Sequence, residues 1–274
     1  MDNSKRDVDA ILTQIQPIIL DYLKQIFPDE EERNFATIIE LVKGVQLSAD
    51  DATRELALNF LCEAERDLKS CKALRCKKIY PYAVYHLQQA VEKATKGYVL
   101  GFGLLGEKDI RAISHDTPML FLKALVDKTG LRSWANQPGN QGLKQRIDNA
   151  YQAVNEEAKR QEIVRTSRPS IKKQLSEIDR YRSISRQLCQ YLRAKVTPIV
   201  GVDLPLQSLQ FMLTLPTLFI LGVISFPHEE YTRYPDRGIT PSDYIASLGI
   251  VQSIPDMMKY LSREIRELKE VLSP

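Results

Sequence analysis

Glycine, cysteine and histidine are scarce in this chain of 274 residues, and each scarcity excludes a class of protein. With only 12 glycines, the chain lacks the frequent turns of an all-β fold, and helix-forming residues dominate it. The four cysteines contain no CxxC pair, and three histidines are too few for an evident zinc cluster. We therefore predict an all-α protein with no metal and no cofactor, whose cysteines are reduced thiols packed in helices.

The beginning of the chain also lacks the apolar core of a signal peptide. Together with the expected reduced thiols, this predicts a cytoplasmic location. Residues 1–47 instead carry two amphipathic stripes separated by Pro28-Asp29, a pattern that predicts an N-terminal helical hairpin.

One run without any charge, residues 204–226, is long enough to cross a bilayer. It also contains Pro205, Pro216 and two glutamines, and its first half is mixed in polarity. We therefore interpret the run as a buried core helix and do not expect the protein to meet a membrane.

The stretch Ile79–Lys96 predicts a buried central helix, because its apolar residues recur at steps of three and four. These residues are Ala83, Leu87, Ala90, Val91, Ala94 and, just beyond it, Tyr98. The polar residues that interrupt this face are Tyr82, Tyr85, His86 and Gln89. Such groups need hydrogen-bond partners wherever they are buried. Glu92 and Lys96 are four residues apart, in the order that favours an ion pair.

Capping residues predict three further helix boundaries. Ser48 is expected to cap the helix that precedes the central one. Thr117 or Asp116 is expected to cap a short helix that follows it. The last helix is predicted to begin at Thr240-Pro241-Ser242-Asp243, with Ile245 in its apolar stripe.

Four segments follow one another along the chain: AERDLKSCKAL (64–74), YAVYHLQQAVEKATK (82–96), SHD (114–116) and TRYPD (232–236). In this order they resemble the HEPN family of small helical-bundle proteins. The resemblance covers roughly residues 55–128 and 226–272 and implies a HEPN-like bundle formed by residues 48–130 and 204–274. It further implies a homodimer, since family members are generally dimers. Some members act beside a small nucleotidyltransferase partner, and some are ribonuclease toxins of toxin–antitoxin pairs.

Many HEPN proteins are metal-independent ribonucleases with an Arg-(four to six residues)-His motif, and this chain lacks that motif. None of its three histidines has an arginine at the required distance on its N-terminal side. Arg111 precedes His115 by four positions, one residue short of the pattern. RNA cleavage needs a group that moves protons and a cation that holds the phosphate. Arg111 and His115 are therefore the candidates for a divergent catalytic pair, with Arg233 as a further cation.

Other family members bind RNA or nucleotides, and several residues here suit that role. The candidates in the HEPN-like part are His86, His115, Asp116, His228, Arg233, Tyr234 and Arg237. The first three also have structural interpretations, since a histidine beside an apolar face often only donates a hydrogen bond, and His-Asp can order a loop and cap a helix. The last four lie in one loop together with Tyr231. Its arginines suit a phosphate, and Tyr231 and Tyr234 suit a stacked base, unless these residues only fix the turn before the last helix.

The middle of the chain, residues 131–203, departs from the family because a short link is expected there. Residues 143–166 and 170–196 predict two long polar helices, an inserted helical hairpin. Over 144–195, thirteen Lys and Arg stand against six Asp and Glu, which favours an anionic partner unless the charge is ordinary solvated surface. The basic residues at the junction of the two helices are Arg165, Arg168, Lys172 and Lys173.

These observations predict a non-catalytic, dimeric RNA- or nucleotide-binding protein. Two alternatives remain open: a divergent metal-independent endoribonuclease, and a protein–protein adaptor with no nucleic-acid role.

Overall fold

The computed structural model describes residues 49–113, 116–127, 132, 135–136, 141–200, 206–234 and 239–273. Its α-helices in chain order are α1 (Asp51–Cys76), α2 (Tyr80–Gly101), α3 (Glu107–Ile113), α4 (Thr117–Leu122), α5 (Gln141–Asn155), α6 (Glu157–Val164), α7 (Arg168–Val200), α8 (Leu206–Ser225), α9 (His228–Tyr231) and α10 (Gly249–Leu272). A π-helical turn, Lys123–Asp127, follows α4, and a 3₁₀ helix, Pro241–Asp243, precedes α10. No strand occurs in the described ranges, so the all-α prediction is confirmed there. The predicted hairpin of residues 1–47 lies outside them.

The helices α1 and α2 pack closely because small residues line their contact. Ala57, Ala64, Ala83, Ala90 and Ala94 are fully buried. A Cβ atom at Gly97 would lie 2.9 Å from the Cγ of Leu61, so only glycine fits at that point of the contact. The predicted central helix is confirmed and is longer than expected, ending at Gly101 rather than near Lys96.

Helix α8 is part of the core, as the uncharged run predicted. Leu218, Leu221 and Ile224 belong to the main hydrophobic cluster together with residues of α1, α2 and α10. Within the part of the chain that the structure describes, no helix combines the length and the apolar character needed to span a bilayer. Pro216 lies inside α8, where its ring removes a backbone donor. One turn earlier, the carbonyl oxygen of Leu213 accepts a hydrogen bond from the side chain of Arg182, at 3.5 Å.

Arg182 joins α7 to α10 through buried charges. Its guanidinium pairs with Glu264, whose side chain is fully buried, and with Glu267 at 2.7 Å. The hydroxyl of Thr217 in α8 donates to the same Glu264 carboxylate at 3.2 Å. Burial raises the pKa of Glu264, while the charge of Arg182 acts in the opposite direction. One arginine of the basic segment is therefore committed to the core.

Several predicted boundaries differ from the structure. The N-cap of α1 is Asp50, not Ser48, because the Asp50 carboxylate accepts a hydrogen bond from the amide of Thr53 at 2.7 Å. The predicted helix 143–166 is interrupted at Glu156. Thr240 caps the 3₁₀ helix rather than α10, which begins at Gly249 after a turn. Ile245 falls in that turn and is 56% exposed, so its predicted place in an apolar stripe is wrong.

Candidate functional site

The first half of α2 presents aromatic and basic side chains at the surface. Tyr82 is 59% exposed, and Tyr85 and His86 lie one turn further along, so the three share one face of the helix. The rings of Tyr85 and His86 meet edge to face, with centroids 5.5 Å apart. These three residues are among those that interrupt the apolar stripe of this helix in the sequence, and in the structure they form part of its surface.

His86 is anchored to α1 through a carboxylate. Its Nδ1 lies 2.8 Å from Oδ1 of Asp67, whose other oxygen accepts from the ammonium of Lys93 at 2.6 Å. The structural interpretation of His86 as a hydrogen-bonding residue is therefore confirmed, although its side chain is still partly exposed. No pattern in the sequence indicated that Asp67 and Lys93 belong with His86.

Arg233 and Tyr234, which follow α9, reach the same surface from the far end of the chain. The guanidinium carbon of Arg233 lies 5.5 Å from the ring centroid of Tyr85 and 5.1 Å from that of Tyr234. Such contacts are cation–π interactions. Tyr234 is 48% exposed, so about half of its side chain is accessible to a ligand. We call Tyr82, Tyr85, His86, Arg233 and Tyr234 the tyrosine–arginine patch.

Charge within the patch is largely balanced. Arg233 forms an ion pair with Glu229, and its Nε donates to the carbonyl of the same residue at 3.3 Å. The nearby ammonium of Lys93 is paired with the carboxylate of Asp67, to which His86 is also hydrogen-bonded. A ligand would therefore meet aromatic faces and hydrogen-bonding groups here more than net positive charge.

Two residues of the predicted ligand loop are not at this surface. His228 is 1% exposed and forms a hydrogen bond with the hydroxyl of Tyr244 at 2.8 Å. Burial lowers the pKa of His228 to about 3, so the ring is neutral at ordinary pH. Tyr231, expected to stack on a base, is fully buried, and its hydroxyl donates to Glu157 of α6. The structure thus separates these two residues from Arg233 and Tyr234, and Arg237 lies outside the described residues.

The remaining HEPN-like candidates lie around the start of α4. Asp116 caps this helix by accepting from the amide of Met119 at 3.1 Å, which confirms its structural interpretation. Burial raises the pKa of Asp116, and hydrogen bonding and Arg160 oppose that rise. Arg111 is exposed and pairs with Glu107, one turn earlier on the same helix. His115 lies outside the described residues.

The predicted basic residues at the junction of α6 and α7 are all exposed. They are Arg165, Arg168, Lys172 and Lys173. None of them forms a side-chain ion pair with another residue of the described ranges. Arg160 differs, because it pairs with Glu230 at 3.4 Å and lies over the ring of Phe226. The exposed four are available to an anionic ligand, whereas Arg160 and Arg182 are held by carboxylates.

The described residues contain no group of three or more His, Cys, Asp or Glu side chains that could hold a metal ion.

Comparison with protein families gives a match to the HEPN domain over residues 57–131. The resemblance to the HEPN family is confirmed for this segment. No significant similarity to a curated protein or to a solved structure was found. The HEPN match runs from α1 past α4, so it includes Tyr82, Tyr85 and His86 of the patch, whereas Arg233, Tyr234 and the basic junction lie beyond it.

Proposed function

We propose that this protein is a non-catalytic RNA- or nucleotide-binding protein. The tyrosine–arginine patch would hold bases, and the exposed basic junction would hold phosphates. The observation that supports this most directly is the position of Arg233 over the rings of Tyr85 and Tyr234. The HEPN match over 57–131 agrees with an RNA-related or nucleotide-binding role.

The geometry of the patch suits an unpaired base. Arg233 lies over the ring of Tyr234, and 48% of that side chain is exposed. Stacking of a base on an exposed aromatic ring contributes about 1–3 kcal/mol and does not depend on which base is present. Bases are free to stack in this way when a strand is unpaired, which favours single-stranded RNA over a duplex.

Because the charges of the patch are largely paired, we place the phosphate contacts at another part of the surface. Arg165, Arg168, Lys172 and Lys173 are exposed cations of the described chain, and they would follow the RNA backbone. The two parts of the surface would then contribute differently, with stacking at the patch and electrostatic attraction at the junction.

The nuclease alternative receives less support. The chain lacks the Arg-(four to six residues)-His motif, and Arg111 forms an ion pair with Glu107. Arg111 and His115 remain the pair to substitute if any cleavage is measured. The homodimer, the nucleotidyltransferase partner, the cytoplasmic location and a role in a toxin–antitoxin pair stay predictions of the resemblance, and the oligomeric state can be measured by sedimentation velocity.

The test is binding of the full chain to fluorescently labelled single-stranded RNA, with the same samples then run on a denaturing gel. We expect intact RNA and salt-sensitive binding. The variant Tyr234→Ala should weaken binding by about tenfold or more, because it removes the open stacking surface. The matched control Tyr234→Phe keeps the ring and should bind like the wild type.

Three results would count against this proposal. Equal affinity of Tyr234→Ala and the wild type would remove the patch from the site. Cut RNA that becomes intact in Arg111→Ala or His115→Ala would make the protein a ribonuclease. Neither binding nor cleavage would leave the adaptor alternative.

A further inference from the structure

A cleft of about 400 Å³ opens where the end of α1 meets the first turns of α7 and α10. Three cationic side chains line it, those of Arg75, Lys78 and Arg168. Among the described residues, those that line the cleft include no acidic side chain. This cleft differs from the tyrosine–arginine patch in its charge, because its lining is strongly positive whereas the charges of the patch are largely paired.

The three cations are available to a ligand. Within the described ranges, none of their side chains forms an ion pair. Other arginines of this protein do pair with an acidic residue one turn away on the same helix, as Arg54 does with Asp51 and Arg180 with Glu177. Three unpaired cations around one concave space repel one another, and an anion between them relieves that repulsion. A phosphate group matches the site best, because guanidinium and ammonium groups both donate hydrogen bonds to its oxygens.

Lys78 occupies its position at a conformational cost. Its φ of 59° lies in the left-handed region, and it is the one non-glycine residue with positive φ among those described. Glycine is the usual residue at such a position after a helix end, because it has no Cβ to clash. A lysine there is consistent with a use for its side chain, and that side chain lines the cleft.

The rest of the wall differs in kind from the cationic part. Tyr80 contributes an aromatic ring, Val251 and Pro255 contribute apolar surface, and Gln252 contributes an amide. A phosphate alone would not use these groups, whereas a nucleotide would place its phosphate on the cations and its base on the ring and the amide. We propose that this cleft binds a nucleotide through its phosphate group. The inference rests on the proposed function, for which it specifies a second nucleotide contact.

Close packing beside the cleft holds Arg168 in place. A Cβ atom at Gly249 would lie 2.1 Å from the carbonyl oxygen of Thr166 and 2.8 Å from the amide nitrogen of Arg168. The start of α7 therefore rests directly on the backbone of α10. This contact brings a cation of the middle segment to the end of α1, from which it is separated by about ninety residues of chain.

The exposed thiol of Cys76 also lines the cleft and allows a local measurement. The full chain is treated with a thiol reagent in the presence of adenosine monophosphate, inorganic phosphate or adenosine, and modification of Cys76 is followed by peptide mapping. We expect adenosine monophosphate to slow modification at lower concentrations than inorganic phosphate, and adenosine to have no effect. In Lys78→Gly and Arg168→Gln, protection should require about tenfold more adenosine monophosphate. The control Lys259→Gln removes an exposed cation of α10 outside the cleft and should behave like the wild type.

Lys78→Gly separates binding from folding, because it relieves the positive φ and should not lower the midpoint of thermal unfolding. Lost protection in this fully folded variant would support the site. No protection of the wild type, or equal protection in Lys78→Gly, would overturn the inference.

A short single-stranded RNA identifies the source of the phosphate. Protection of Cys76 by RNA at lower concentrations than by the mononucleotide would place the RNA backbone in the cleft, and protection by the mononucleotide alone would make the ligand a free nucleotide. Failure of the two proposals can be told apart. If RNA binds but Cys76 is not protected, only the cleft fails. If adenosine monophosphate protects Cys76 but Tyr234→Ala changes nothing, only the patch fails.

Discussion

His228 is a residue whose burial links stability to pH. Its neutral ring is enclosed beside Tyr244, and burial lowers its pKa to about 3, against about 6.5 in an unfolded chain. Between these values the unfolded state binds one more proton than the folded state, so stability falls as the pH is lowered. From pH 7 to pH 5 the loss attributable to His228 should be about 2 kcal/mol.

The measurement is urea unfolding of the wild type and of His228→Gln at pH 7, 6 and 5. The comparison cancels the carboxyl groups whose pKa is raised by burial, such as Asp116 and Glu264, because both proteins contain them. The wild type should lose about 2 kcal/mol more than the variant over this range. Parallel curves would mean that His228 is protonated equally in both states.

At the residue level, the sequence indicated some residues of the patch but not the residues that contact them. Arg233 and Tyr234 were predicted together from their position in TRYPD, and the structure places them side by side. The sequence could not connect Tyr85 with Arg233, or Asp67 with His86, because each of these contacts joins positions far apart in the chain. His228 and Tyr231 were grouped with Arg233 by sequence distance, yet a helical turn directs neighbouring residues to opposite sides.

At the level of elements, Arg182 connects α7 to α10 through a buried network. Replacing it by methionine would leave the carboxylate of Glu264 buried without its main cationic partner, which costs about 3–5 kcal/mol in comparable cases. The double variant Arg182→Met with Glu264→Gln removes both charges, and the new side-chain amide can still accept a hydrogen bond from Thr217. It should recover at least about 2 kcal/mol of that loss.

Guanidinium unfolding of the two variants would measure this difference. The matched control is Arg180→Met, since Arg180 is exposed and pairs with the partly exposed Glu177 one turn earlier. Its effect should stay within about 0.5 kcal/mol. A double variant as unstable as Arg182→Met alone would show that the packing of the arginine stem, and not its charge, holds α7 to α10.

Helix periodicity predicted the main elements well, and local chemistry predicted their ends less well. The apolar character of α2 and α8 was sufficient because each helix packs buried apolar side chains into the main hydrophobic cluster. Gly97 would ordinarily suggest a helix end, yet α2 continues past it to Gly101, because Leu61 occupies the space of the missing Cβ atom. That space is created by tertiary packing and has no signature in the sequence of α2 itself.

The charge of the whole molecule is distributed unevenly along the chain. Within the basic segment 144–195, some cations form ion pairs with carboxylates and others are exposed without such pairs in the described chain. Arg160 and Arg182 are neutralised by carboxylates, whereas Lys172 and Lys173 are exposed without ion pairs in the described chain. Only cations of the second kind can release counterions from RNA. The count of thirteen basic residues over 144–195 therefore overstates the charge that a ligand would meet.

This division leads to a prediction for the salt dependence of RNA binding. Each phosphate contact on a single strand contributes about 0.7 to the slope of log affinity against log salt concentration. The double variant Lys172→Gln with Lys173→Gln should therefore lower that slope by about 1.4. Lys108→Gln with Lys259→Gln removes the same charge from exposed positions outside the basic segment and should leave the slope unchanged. If both pairs lowered the slope equally, the RNA would be responding to net charge rather than to the junction of α6 and α7, and the phosphate contacts proposed there would have to be abandoned.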